Sequence, residues 1–192
     1  MKTLKTAVLL LLFMTILTGV AYPLAVTGLA QGLFPRQADG SIIYRDGRPV
    51  GSSLIGQKFS GPGYFHGRPS AAGHGYDATA SGGSNLGPTS KTLIKHVARR
   101  AALVRKENGL PPGAPVPSDL VTSSASGLDP DISPAAAFLQ VPRVAKARHL
   151  SEDQVRTLVQ NHIKGPELGF MGNPRVNVLR LNLALDKLAG KS

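Results

Sequence analysis

Residues 7–26 read AVLLLLFMTILTGVAYPLAV, and the wider stretch from Thr6 to Pro35 contains no Asp, Glu, Lys or Arg. At about 1.5 Å of rise per residue, a twenty-residue helix spans about 30 Å, the hydrocarbon thickness of a bilayer. This stretch is therefore read as one transmembrane helix. Lys2 and Lys5 precede it, a bias that keeps a short N-terminus in the cytoplasm, while a long downstream domain crosses largely regardless of its own charge. The expected order is a cytoplasmic N-terminus at 1–6, a membrane helix at 7–26, a juxtamembrane segment at 27–35 and an extracytoplasmic soluble domain at 36–192. A cleaved signal peptide is the alternative: Lys2 and Lys5 would form its positive region, with a mature N-terminus after Ala21 or Ala30. The apolar run is longer than the 7–15 residues of such a core, which favours retention. Pro23 is placed to kink the span. Thr15/Gly19 and Gly28/Gly32 put small residues at i,i+4 spacing, where a neighbouring helix can approach closely.

Outside the span, the 192-residue chain has room for one compact domain. It has no cysteine, which removes disulfides, thiolate metal sites and a cysteine nucleophile. Its 22 Lys+Arg against 11 Asp+Glu give a formal charge of +11, a bias toward anionic lipid, nucleic acid or an acidic protein face. Nucleic acid fits poorly: there is no Trp, aromatics make up 5%, and no basic cluster interleaves with stacking residues.

Along the domain, Ser41 to Tyr44 and Val50 to Ile55 read as short strands joined through Asp46-Gly47, a favoured hairpin turn. Ser60 to Gly87 is a long Gly- and Ser-rich loop whose aromatic residues argue for packing. Pro88 to Asn108 is an amphipathic helix, with Leu93, Val97, Ala101 and Val104 on one face. Its basic side chains lie mostly elsewhere, facing solvent or an anionic surface. Asp119 to Thr122 reads as a strand. Ser133-Pro134 starts a helix as N-cap and N1. Ser151 with Gln154 forms a capping box for another, stapled by Leu150 onto Val155 and ended by Gly165-Pro166. Pro174 to Leu188 fits both period two and a helical stripe, and is read as a strand at Arg175 to Val178 running into a helix. The expected fold class is α+β: a single N-terminal transmembrane helix followed by one mixed α/β soluble domain.

Catalytic motifs are scarce. Gly82-Gly83-Ser84-Asn85-Leu86-Gly87-Pro88-Thr89 has the spacing of a phosphate loop before a helix, but Pro88 stands where the lysine belongs, so a cation and a backbone N–H are both missing. Gly82, Gly83, Ser84, Asn85, Gly87 and Thr89 remain candidates for a weak anion or nucleotide loop at a helix N-terminus. His66, His74, His96, His149 and His162 have no metal-ligand spacing, and Ser84 and Ser126 lack a nucleophile-elbow context. Asp129 and Asp131 are read as structural, beside a helix start. Neither a catalytic residue nor a bound cofactor is expected. Tyr64, Phe65 and Arg68 are the interface candidates, since aromatic and Arg side chains dominate binding hot spots; packing of the core is the competing reading for them.

Five blocks carry a resemblance that covers nearly the whole chain. They are Gly51 to Gln57 (GSSLIGQ), Tyr64 to Ala71 (YFHGRPSA), Ala80 to Pro88 (ASGGSNLGP), Asp119 to Pro130 (DLVTSSASGLDP) and Pro174 to Asp186 (PRVNVLRLNLALD). In this order they closely resemble the C subunit of the Kdp-type high-affinity potassium-transporting P-type ATPases. Asp131 and Asn173 depart from the family pattern, which has His and Glu there. The resemblance implies an accessory subunit of a bacterial inner-membrane potassium uptake pump, with a potassium-channel-like subunit and an ATP-hydrolysing subunit as partners. It also implies the family's description as a catalytic chaperone that raises ATP affinity, with ATP reached through the partner. Two readings stay open: a structural or regulatory subunit acting outside, and a nucleotide-binding module acting directly on the ATPase.

Overall fold

In the computed structural model, which describes residues 1–190, the apolar stretch forms a helical run from Lys2 to Leu33. It extends beyond 7–26 at both ends because only Phe34, with φ −139° and ψ 53°, breaks the helical backbone. The run comprises α1 (Lys2–Ile16), a π-helical turn (Leu17–Ala21) and α2 (Tyr22–Leu33). Pro23 explains the turn. It has no N–H for the carbonyl of Gly19 and its ring would press on that carbonyl. Widening the ladder so that Tyr22 N–H reaches Leu17 O makes room for the ring. No residue of α1 or α2 is buried. The hydroxyls of Thr6, Thr15 and Thr18 bond to carbonyls one turn back, so these polar groups are satisfied within the helix.

After a short helix α3 (Pro35–Ala38), strands β1 (Ile42–Arg45) and β2 (Arg48–Ser52) pair antiparallel. Asp46 at φ 51° and Gly47 at φ 74° make the tight turn. The second strand starts two residues before the expected Val50 and ends at Ser52, whose hydroxyl donates to Gly40 O at 2.6 Å. Residues 1–52 form one compact unit and the chain from Ser53 onward a second.

The second unit is built on α5 (Pro134–Arg148), α6 (Glu152–Asn161) and α7 (Val178–Leu188), with a small antiparallel sheet ordered β3 (Asp131–Ile132), β5 (Arg175–Asn177), β4 (Ile163–Lys164). Val141, Val144, Val155, Val159, Val176, Leu181, Leu185 and Phe65 meet in its core. Ser133 caps α5 as expected, and its own N–H and hydroxyl are held by the Asp119 carboxylate. The capping box at Ser151 and Gln154 is formed. The last block resolves as β5 running into α7, which starts one residue earlier than expected because Asn177 is its N-cap. Val178, Leu181, Asn182, Leu185 and Asp186 give α7 a buried face at helical period.

Two expectations are corrected. Asp119 to Thr122 is not a strand: Ser118–Leu120 is a 3-10 turn, with Thr122 N–H bonded to Ser118 O. Leu120 and Val121 are buried, so their apolar character reports the core and not a sheet. Helix α6 ends at Asn161, before Gly165-Pro166, because Ile163 pairs with Val176 in the sheet. Helix α4 (Lys91–Glu107) follows the expected pattern, with Leu93, Val97, Ala101 and Val104 half-buried.

Candidate functional site

Residues 61–69 cross the second unit without regular structure, and the carbonyls from Pro62 to His66 and the N–H groups of Phe65 and His66 are satisfied by side chains. Asn182 on α7 accepts from Phe65 N–H at 2.8 Å and donates to Phe65 O at 2.9 Å. Gln140 on α5 does the same for the next residue, accepting from His66 N–H at 2.8 Å and donating to His66 O at 3.1 Å. Two buried amides thus take the place of a neighbouring strand. Arg143 donates to the carbonyls of Pro62 and Tyr64, and also to Gln140 Oε1 at 2.7 Å and Asn108 Oδ1 at 3.0 Å.

Arg148 holds the start of the segment. Its Nε donates to Gly63 O at 2.7 Å, its Nη2 pairs with Asp186 Oδ1 at 2.7 Å, and its guanidinium lies 4.4 Å from the centre of the Tyr64 ring. A Cβ on Gly63 would lie 3.0 Å from Arg148 Nε, so a larger residue here would press on the guanidinium. Of the interface candidates, Phe65 has no exposed surface and lies in the core cluster. Tyr64 is half-buried beneath Arg148.

Arg68, the third candidate, faces a cleft of about 360 Å³ between this segment and α4. Lys58, Arg99 and Arg100 join it there, against the single carboxylate of Glu107. Arg68 Nη1 pairs with Asp129 Oδ2 at 3.0 Å, while its buried Nε has no hydrogen-bond partner among the described residues. Burial, and then the charge of neighbouring Arg99, push the Arg100 pKa down. His66 lines the same cleft: Nε2 donates to Gly61 O at 3.0 Å, and Nδ1 lies 3.6 Å from Glu107. Burial, and then the positive charge of Arg143, hold its pKa below the ordinary 6.5, although Gly61 O and Glu107 pull the other way. The cleft can therefore receive an anionic group. Among the described residues no three metal-ligating side chains converge.

The glycine-rich loop lies elsewhere, against residues 124–127. Gly82 N–H donates to Ser126 O at 2.9 Å, and a Cβ on Gly83 would meet Ala125 O at 3.1 Å. A Cβ on Gly127, at φ 68°, would lie 2.6 Å from Gly82 O, so the two backbones approach closely there. One of the N–H groups a phosphate loop would use is thus committed within the fold. Ser84, Asn85, Gly87 and Thr89 are exposed, and Ser90, one residue beyond Thr89, caps α4. Sequence reasoning missed Asn182, Gln140, Arg143 and Arg148 as the groups that position the segment. An amide at a buried position of an apolar helical stripe was the available signal for Asn182.

Comparison with known proteins agrees with this arrangement over nearly the whole chain. Residues 4–187 match the family described as KdpC: K+-transporting ATPase, c chain. The chain is 56% identical to the potassium-transporting ATPase KdpC subunit of Acidobacterium capsulatum over 188 residues, 98% of this chain and 100% of that one. To the same-named subunits of Methylobacterium nodulans and Nitratidesulfovibrio vulgaris it is 56% and 59% identical, covering 100% and 97% of this chain and 100% and 94% of theirs. A match of that extent leaves neither the helix nor the amide-held segment outside it: the chain belongs to the KdpC family, the c chain of K+-transporting ATPases.

Proposed function

We propose that this chain is a non-catalytic accessory subunit of a potassium uptake pump, held by its N-terminal helix with residues 1–6 in the cytoplasm, 7–26 in the bilayer, 27–35 beside it, and the domain from residue 36 outside. The observation that carries the sidedness is the charge-free run from Thr6 to Pro35 with Lys2 and Lys5 before it. From outside, the domain supports assembly and activity by contact with the potassium-channel-like subunit, with Arg68 and the exposed edge of Tyr64 as candidate contacts. Any rise in the ATP affinity of the hydrolysing subunit is then transmitted through the assembled pump. The committed Gly82 N–H and the exposed, lysine-less loop that follows support this over direct phosphate binding. The exposed basic side chains Lys91 and Lys95 of α4 face solvent or an anionic surface.

A second reading, a module that binds the nucleotide itself, draws on one observation: the cationic cleft at Arg68, Arg99 and Arg100. Sidedness separates the two, since contact with cytoplasmic ATP requires the cleft inside. Ala98 is exposed on α4 and the chain has no native cysteine, so Ala98→Cys gives a unique label site. A membrane-impermeant thiol reagent should label it with the inner membrane intact. Labelling only after lysis would overturn the topology and favour the nucleotide module. The intact mass of the purified chain tests retention of the helix, and a mature start after Ala21 or Ala30 would indicate a secreted protein.

A further inference from the structure

We propose that the hairpin tip Leu168-Gly169-Phe170-Met171 is a preformed plug that seats in an apolar socket on the outer side of a companion subunit of the same ATPase. This rests on the reading above, that the domain lies outside as part of the pump. Leu168 is 82% exposed, Phe170 78% and Met171 54%, three large apolar side chains within four residues. The tip is stiff. Glu167 and Met171 exchange two backbone hydrogen bonds of 2.8 Å, and Arg175 Nη2 holds the Glu167 carboxylate at 2.6 Å while its Nε reaches Asp131 at 3.3 Å.

Leu168 at φ 52° and Gly169 at φ 82° make a turn with two left-handed residues. A leucine adopts that backbone at a cost, and with its side chain in solvent it receives little packing in return within this chain. Strain of this kind, fixed by surrounding contacts, points to use by a ligand or partner. A rigid apolar tip loses little conformational freedom on docking, and Phe and Met are enriched at interface cores.

Charge selects a protein over a lipid surface. Around the tip the cations are Lys164 and Arg175, and Arg175 is already held by Glu167 and Asp131. Loops that insert into anionic bilayers gather several Lys or Arg around the apolar group. One exposed lysine, Lys164, beside three exposed apolar side chains suits instead an apolar socket on a protein. Membership in a family described as the c chain of an ATPase means that other chains exist to provide it.

The test places the photo-crosslinking amino acid benzoylphenylalanine at Phe170 in the full-length chain within the intact membrane complex, with the same group at exposed Ile94 as the comparison site. Irradiation is expected to join position 170 to an outward-facing segment of another pump subunit. Adducts to lipid, adducts to this chain alone, or no adduct in a complex that still co-purifies would overturn the plug while leaving the subunit reading intact. A chain that never co-purifies with the pump would overturn both. Independently, Phe170→Ser with Met171→Ser should weaken association with the pump by about thirty-fold or more, with the domain still folded. Unchanged association would overturn the proposal.

Discussion

Two irregular segments of the same unit, residues 61–69 and 165–172, solve the backbone problem in opposite ways. In the first, the carbonyls of Pro62, Gly63, Tyr64, Phe65 and His66 are all taken by side chains of α5 and α7. Phe65 then points inward with no exposed surface. In the second, the turn satisfies itself through Glu167 and Met171, and Phe170 points outward at 78% exposure. An irregular backbone needs partners for its N–H and C=O groups in either case. Where helices lend side chains, the segment becomes core. Where the chain closes on itself, its apolar residues are free for something else.

If that contrast is right, the first segment should fail when a lender is removed. The largest effect is expected from Asp186→Ala. The side chains of Arg148 and Asp186 are only 5% and 10% exposed, so the substitution strands a nearly buried guanidinium. Breaking such a pair costs about 3–5 kcal/mol, read as a lower denaturant midpoint for the full-length chain in detergent. Asp186→Leu with Arg148→Met should recover part of the loss, because neither variant side chain leaves a charge buried.

Asn182→Leu comes next. It keeps the volume but orphans Phe65 N–H and C=O, at about 2–4 kcal/mol for two buried groups. Gln140→Leu should behave alike through His66. A loss under about 0.5 kcal/mol for both, the scale of an ordinary surface change, would show that the amides accompany the segment without holding it.

A smaller effect is expected from pH. His66 has a folded-state pKa below 6.5 through burial and the nearby Arg143, so the unfolded chain binds its proton more readily than the folded one. Stability is therefore full above the unfolded value and falls as pH drops through 6.5 toward the folded pKa. His66→Gln should flatten this part of the stability profile. A steeper profile in the variant would mean that the Glu107 contact outweighs burial.

The same contrast explains how much was legible. Capping at Ser133 and Ser151 and the Asp46-Gly47 turn are local rules written in adjacent residues, and they appear where expected. The apolar helix was legible for the same reason, since hydropathy over one continuous run needs no tertiary partner. A turn is mistaken for a strand where burial is set from afar: Leu120 and Val121 are apolar because they are buried, and they lie in and just after a 3-10 turn. The amide-held segment was hidden because Phe65 and Asn182 lie 117 positions apart. Tyr64, Phe65 and Arg68 group together by residue type, yet the backbone turns Phe65 inward and Arg68 toward the cleft.

The outward tip gives the smallest expected effect on stability, and it bears on the other side of the comparison. Phe170→Ser removes a ring that is mostly in solvent and touches none of the turn's backbone hydrogen bonds. The denaturant midpoint of the isolated full-length chain should stay within about 0.5 kcal/mol of the parent, as for a surface position. Leu168→Gly should raise stability slightly, by up to about 1 kcal/mol, because glycine takes the φ of 52° without the cost that leucine carries. A clear loss from Phe170→Ser would mean that the ring is packed within its own chain, and the distinction between a segment held by its neighbours and one held by its own turn would disappear.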